Sequence, residues 1–445
     1  MLKFYQLALI GMLLFVQGNL AAQSLLSPNQ LREDLLHIKK SLLNYHPDLF
    51  AYQSRSKFEN SFGEVAQQLD QAITENEFFR LVKPLVTQVK CGHTDLYHSE
   101  KYILNQQKVI FPIEVEVNNS NEIEVIDTYT SQVPKGAIIT KIDDLASDKI
   151  VEVLLGFISS DGLHQNGRYY NLNNQFFSLY AEVLAENITI DITYQFNGQT
   201  KSTQLLPKIE RSSLQEKPPL VEAAIKGNAA EASLKIRSFD KALLKENGIH
   251  LKKFLNNFFE EVQEQQVKKL TIDLRDNIGG NDLLAIELYR YIAKKPFKFY
   301  DNLRMHKKSK KQLGFPHNIF FRIEKADSLG MVSYTGHKGL KWIIPTKNYF
   351  LGEVEVLING GTMSAAAHFA AKCHNNQRAN ILGQASAGNY EGSNSGFLIY
   401  ETLPHSGLQL FIPAIRYELY LPNKKLITEA IEPSTLAVSK SKVAQ

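Results

Sequence analysis

Val356-Leu357-Ile358-Asn359-Gly360-Gly361-Thr362-Met363-Ser364-Ala365-Ala366-Ala367-His368 reads as a buried strand that turns through paired glycines into an alanine-rich helix. A serine stands at the handover. Its hydroxyl would lie near the positive end of the helix dipole, where an oxyanion is stabilised. The same position equally suits a Ser364 or Thr362 that merely caps the helix. A second strand end lies upstream, at Thr271-Ile272-Asp273-Leu274-Arg275-Asp276-Asn277-Ile278-Gly279-Gly280-Asn281. Paired glycines after a buried strand let the backbone approach a ligand and expose N–H groups, as an oxyanion hole requires, although the same pattern makes an ordinary turn.

Around these two ends the chain alternates types. Strands are expected at 232–236, 270–274, 354–358 and 380–382, with helices at 251–264, 282–293 and 364–374 between them. That order implies right-handed parallel crossovers and an α/β domain over 229–440. Upstream the texture is different. Ile188, Ile190, Ile192, Tyr194 and Phe196 alternate with polar residues before the turn pair Asn197-Gly198, so 108–207 reads as a β-rich domain. The polar stretch 208–228, with Pro218-Pro219, suits a linker. In 24–107 a helix opens at Ser27-Pro28, carries Leu31, Leu35, Ile38 and Leu42 on one face, and stops before His46-Pro47. Thr74 with Glu77 forms a capping-box pattern for another helix through Phe78, Leu81, Leu85 and Val89. This part reads as a helical domain ending in the loop Cys91-Gly92-His93-Thr94.

Composition narrows the function. The 445 residues are 44% apolar and 22% charged, which excludes wholesale disorder, collagen-like repeats and coiled coil. Fifty Lys+Arg against 46 Asp+Glu leave +4, too small a surplus to argue for a nucleic-acid partner. The basic run His306-Lys307-Lys308-Ser309-Lys310-Lys311 reads as a solvated loop. Two cysteines, Cys91 and Cys373, make no disulfide framework and no CxxC metal site. Residues 1–22 begin with Lys3, continue through the apolar Phe4–Val16 and end on Ala21-Ala22. That stretch is too short to span ~30 Å of hydrocarbon as a helix, so it reads as a cleaved export signal. The expected location is periplasmic or extracellular, with no stable membrane span after cleavage.

The stretches DLRDNIGG (273–280), NGGTMSAAA (359–367) and ILGQASAG (381–388), in that order, closely resemble the C-terminal-processing (tail-specific) serine peptidases. Their nucleophile turn is not the GxSxG elbow of α/β-hydrolases, since Thr362-Met363 and Ala365-Ala366 flank the serine. The resemblance implies a crotonase/ClpP-like core and a PDZ-like domain, whose PxGxxI signature fits Pro134–Ile142. It also implies cleavage of peptide bonds through an acyl-enzyme on Ser364, with no metal or organic cofactor. Oxyanion donors would be the N–H of Ala365 and of Gly279 or Gly280. Many members carry a lysine base where this chain has Asn389, and an amide cannot accept a proton at neutral pH. The tricorn-like branch uses a loop histidine instead, which Cys91-Gly92-His93-Thr94-Asp95 resembles, so His93 is the expected base.

His368, one turn beyond Ser364 on the same helix face, is the rival base. The resemblance places a base-orienting acceptor near Glu429, in Glu429-Ala430-Ile431-Glu432-Pro433-Ser434. Cys91 and Cys373 could pair, one beside His93 and one on the nucleophile helix. The expected partner is a peptide or protein, taken as an added strand and possibly by its C-terminus. Two alternatives stand beside this reading. One is an inactive relative that binds peptides or hydrophobic ligands, as the interphotoreceptor retinoid-binding proteins do. The other is a crotonase-type acyl-CoA enzyme, which export to a compartment without CoA argues against.

Overall fold

The computed structural model describes residues 25–105, 109–185, 189–209, 218–227, 230–312, 326–328, 330–422 and 429–434. The expected export signal, 1–22, lies outside them.

One sheet positions the chemistry. Its strands run in the order Val221–Ile225, Glu231–Ile236, Lys269–Asp273, Glu353–Ile358, Asn380–Gly383; the first pair is antiparallel and the rest are parallel. Leu234, Ile236, Leu270, Ile272, Val356, Ile358 and Ile381 are buried, as strands covered on both faces require. Asp273 pairs with Leu357, so the two glycine-bearing turns leave neighbouring strands at the same carboxyl edge. Ligands of open α/β sheets bind at that edge. The segment expected to be a linker contains the strand Val221–Ile225, which extends this sheet by pairing with Glu231–Ile236. Val221 and Ile225 are its β-branched residues, set among polar residues and prolines that give no strand alternation.

Helices Leu251–Glu264, Asp282–Arg290 and Ala365–Asn375 connect the strands. Alanines 365–367, 370 and 371 are all buried, so the last helix sits inside the domain with protein on nearly every side. Asp282–Arg290 packs against it.

A second, antiparallel sheet was not read from the sequence. Gln409–Leu419 lies at its centre, flanked by Asp95–Tyr97, Asn394–Thr402 and Tyr300–His306, with Met331–Ser333 beyond. Leu96 pairs with Leu410, which stitches the loop carrying His93 to the far end of the chain. The capping box of Glu75–Thr87 is formed, with Thr74 N–H donating to Glu77 Oε2 at 2.8 Å. Pro28–Tyr45 ends at His46, and Arg55–Gln68 is a further helix between these two. The β-rich stretch holds an antiparallel sheet in the order Ile113–Val117, Ile123–Thr128, Ile138–Ile142, Ile190–Phe196, Gln199–Leu205. Asn197 and Gly198 both have positive φ at its hairpin, as that turn demands. Two helices, Ser147–Gly156 and Asn166–Val183, interrupt the strands.

Candidate active site

The turn after Glu353–Ile358 separates its two hydroxyls. Thr362 is fully buried; its Oγ1 donates to the Leu274 carbonyl at 2.8 Å and accepts from Asn359 N–H at 3.1 Å. It ties the two strand ends together. Ser364 stands at the N-cap of Ala365–Asn375 with φ 53° and ψ −127°, and its side chain makes no capping bond. A non-glycine residue held there costs on the order of 1–3 kcal/mol, and such strain collects at functional sites. The hydroxyl is left free to act.

The Asn277–Gly280 turn closes on this serine. Asn277 is wholly buried, and its Nδ2 donates to the Ile236 carbonyl at 2.9 Å. Its carbonyl accepts the Met363 N–H at 3.1 Å, so one residue links three strand ends. Gly279, at φ 101°, is pressed so close that a Cβ would stand 2.7 Å from Ser364 Cβ. The Gly279 N–H is committed to Asn277 Oδ1 at 2.9 Å. The N–H groups of Gly280 and Ala365 have no acceptor among the described residues. Ser364, Ala365 and Gly280 line one cavity of about 240 Å³.

The base side is assembled from distant segments. Gly92 packs so tightly on Met363, the residue before Ser364, that a Cβ there would collide with Met363 Cε. Asp161 is buried, and its Oδ1 accepts the Gly92 N–H at 2.8 Å. Its Oδ2 and the Nδ1 of His93 are both buried and without a hydrogen-bond partner. A His93 ring nitrogen, an Asp161 carboxylate oxygen and the Cys91 sulfur lie within 4.8 Å of one another. These are metal-ligand types; in the absence of a metal, burial pushes the Cys91 thiol up to about 12, and it donates to the Asn394 carbonyl at 3.7 Å. Burial lowers the His93 pKa below the usual histidine value, with the Asp161 charge opposing in part, so the ring is neutral at pH 7.

The other expected residues sit elsewhere. Glu429 is exposed, and its backbone carbonyl accepts the Tyr390 N–H at 2.9 Å. The carboxylate found within 4.8 Å of a His93 ring nitrogen is that of Asp161. Nothing in Ser159-Ser160-Asp161-Gly162 distinguishes that aspartate from a turn residue. His368 has both ring nitrogens engaged, Nδ1 with Tyr300 OH at 3.1 Å and Nε2 with Ser393 Oγ at 3.0 Å. Asn389, at the family lysine position, bonds His164 Nε2 through Oδ1 and Tyr52 OH through Nδ2, both at 3.0 Å. Cys91 and Cys373 are both free and buried.

A larger groove, about 1310 Å³, opens near the catalytic turn without including Ser364. Ile113–Val117, the last strand on its side of the sheet, and the helix Asn166–Val183 form its walls, and it reaches Gly360 and Ala385.

Residues 232–434 match the model of peptidase family S41, which supports a serine peptidase. Among solved structures it is similar to mature CPAF, at 13% identity over 91% of this chain and 92% of CPAF, with a TM-score of 0.63. CPAF complexed with lactacystin gives 14% identity, 91% and 93% coverage, and a TM-score of 0.63. At these identities the likeness concerns the fold. A putative peptidase from Parabacteroides merdae ATCC 43184 also matches, at 15% identity, 93% and 91% coverage and a TM-score of 0.47. No curated protein matches the chain.

Proposed function

We propose that the chain is an exported peptidase in which Ser364 attacks the scissile carbonyl and His93 is the general base. The observation that carries this is Ser364 itself: strained, uncapped, and lining one cavity with the free N–H groups of Gly280 and Ala365. Those two groups would receive the oxyanion. Asp161, rather than Glu429, orients the His93 ring: an Asp161 carboxylate oxygen lies within 4.8 Å of a ring nitrogen, and each residue has a buried atom with no partner among the described residues. A carboxylate in that role holds the tautomer and stabilises the imidazolium formed when the serine proton is taken. The acyl-enzyme is then released by water activated at the same ring.

The sheet of Ile113–Val117 is assigned as the PDZ-like substrate domain. Its free edge faces the helix Asn166–Val183 across the larger groove, a geometry that accepts an extended peptide as an added strand. Asn173 now occupies part of that edge, accepting the Val117 N–H at 2.7 Å. The groove's reach to Gly360 supports delivery of the peptide toward the nucleophile turn. Among the described residues no helix is long and apolar enough to cross a membrane. Export itself rests on the sequence of residues 1–22.

A fluorophosphonate probe tests the reading. Labelling of the wild-type chain that is lost in Ser364→Ala and strongly slowed in His93→Ala is the expected result. No labelling of the folded wild-type protein would favour the non-catalytic binder.

A further inference from the structure

The cavity beside Ser364 holds a carboxylate that the catalytic steps do not use. Asp282, first residue of the helix Asp282–Arg290, lines it together with Ser364, Ala365 and Gly280. At about 240 Å³ the cavity admits one side chain, below the ~300–1,000 Å³ typical of drug-sized ligands. Its position against the nucleophile and both oxyanion donors is where the side chain on the acyl side of a scissile bond must fall. Tyr300, Tyr334, Phe397 and Tyr417 contribute aromatic walls, and no lysine or arginine lines it.

No lysine or arginine faces Asp282, and its close basic partner is a histidine. His337 Nε2 lies 3.1 Å from Asp282 Oδ2, yet that oxygen has no well-aligned hydrogen bond. His337 Nδ1 accepts the Gly339 N–H at 3.1 Å, which leaves Nε2 as the nitrogen facing Asp282. Burial alone would raise the Asp282 pKa, but contacts with His337 and Tyr300 more than offset it, and the group stays ionised. The other histidine of the cavity, His368, is neutral, since burial lowers it to about 3. A carboxylate offers about four lone-pair positions, more than its neighbours fill. Its side chain remains 18% exposed. A buried anion without a counterion is costly, and a bound cation relieves that cost.

We infer that this cavity is the specificity subsite of the peptidase and takes a lysine or arginine side chain, recognised by Asp282 and the surrounding aromatic faces. The cationic head meets the carboxylate while the stem lies along the rings, where cation–π attraction adds to the ion pair. The inference rests on Ser364 being the nucleophile for its meaning in catalysis, but the binding can be read without catalysis.

Benzamidine and its neutral counterpart benzamide are the probes, applied to the full chain and to Ser364→Ala. The expected result is a rise in Tm and measurable calorimetric binding with benzamidine in both proteins, none with benzamide, and loss of binding in Asp282→Asn. In hydrolysis of matched peptides, lysine before the scissile bond should be preferred over leucine. Asp282→Asn should reduce that preference on the order of 30-fold, the weight of a desolvated charge pair. Equal behaviour of the two probes on the unaltered chain overturns the inference, and so does a lysine preference that survives Asp282→Asn. Preference for phenylalanine or tyrosine would assign the cavity to its aromatic walls and overturn it too. Benzamidine binding through Asp282 in a chain that no fluorophosphonate labels would retain the subsite and remove the peptidase reading.

Discussion

His93 and His368 are both shielded from water near the nucleophile turn, and burial lowers the pKa of each. Their bonding is opposite in kind. His368 lies one turn beyond Ser364 on the same helix, with Tyr300 and Ser393 occupying its two nitrogens. Its valences are spent on holding the helix against the second sheet. His93 comes from a loop in the helical part of the chain, 271 positions before Ser364 in sequence; its Nδ1 has no hydrogen-bond partner among the described residues, and one of its ring nitrogens lies within 4.8 Å of an Asp161 carboxylate oxygen. Nearness in sequence packed one histidine; an unsatisfied valence beside a carboxylate prepared the other.

The largest expected effect removes what both histidines could serve. Ser364→Ala should lower kcat/KM by about 10⁴–10⁶. Its Tm should stay close to wild type, because the hydroxyl makes no capping bond and alanine inherits the same strained backbone. Turnover within tenfold of wild type would move the nucleophile elsewhere.

Next comes the contrast itself. His93→Gln should cost about 10²–10⁴ in kcat/KM, the usual worth of a general base. His368→Gln should instead be read mainly in stability. Tyr300 OH and Ser393 Oγ each lose one hydrogen bond, at about 0.5–1.5 kcal/mol apiece. Thermal denaturation and peptide kinetics on the two variants separate these outcomes. A stable but inactive His368→Gln beside an active His93→Gln would put the base on the nucleophile helix.

A smaller effect follows from ionisation. The base must be neutral, and burial lowers the His93 pKa, so kcat/KM should hold through neutrality. It should fall tenfold per pH unit only below an apparent pKa that lies under the ordinary ~6.5. The Asp161 carboxylate favours the imidazolium and opposes that lowering. Asp161→Asn should therefore shift the acid limb to still lower pH while reducing the plateau. A limb that Asp161→Asn leaves in place would separate this carboxylate from the base.

The two sides of the site also differ in how legible they were. The nucleophile side is written in contiguous residues: Asp273–Gly280 and Asn359–Ala367 leave adjacent parallel strands whose pairing brings Asp273 beside Leu357. Strand, glycine pair and helix all have local signals, so Ser364, Ala365 and Gly280 could be found before any fold was seen. Gly279 could not be told from Gly280, because the choice turns on which N–H the Asn277 side chain consumes. The base side has no such signal. Asp161 reaches His93 through a bond to Gly92, and Asp282 acquires its meaning from His337, 55 positions later. The antiparallel sheet around Gln409–Leu419 was missed for the same reason: it draws strands from 95 to 419, and only tertiary pairing defines it.

The smallest expected effect is none at all. Asn389 stands where many relatives carry a lysine base, so Asn389→Lys in a His93→Ala background asks whether the site can revert to that chemistry. A lysine base must be neutral, which requires a desolvated pocket free of nearby anions. The Asn389 surroundings are desolvated but not free of anions. Its side chain is held between His164 and Tyr52, and Gly162 packs on it so closely that a Cβ there would come within 2.8 Å of Oδ1. Burial is the largest influence on His164, the partner of this asparagine, and lowers its pKa, while the charges of Asp161, Glu432 and Glu429 oppose that and would bear more strongly on a longer cationic side chain. An introduced lysine would stay protonated, and an ammonium cannot take the serine proton. The double variant should therefore be as slow as His93→Ala alone, in kcat/KM and in fluorophosphonate labelling. Activity regained with an acid limb well above that of the wild-type chain would mean that lysine geometry persists beneath the histidine site, and that His93 is a replacement rather than the foundation of the machinery.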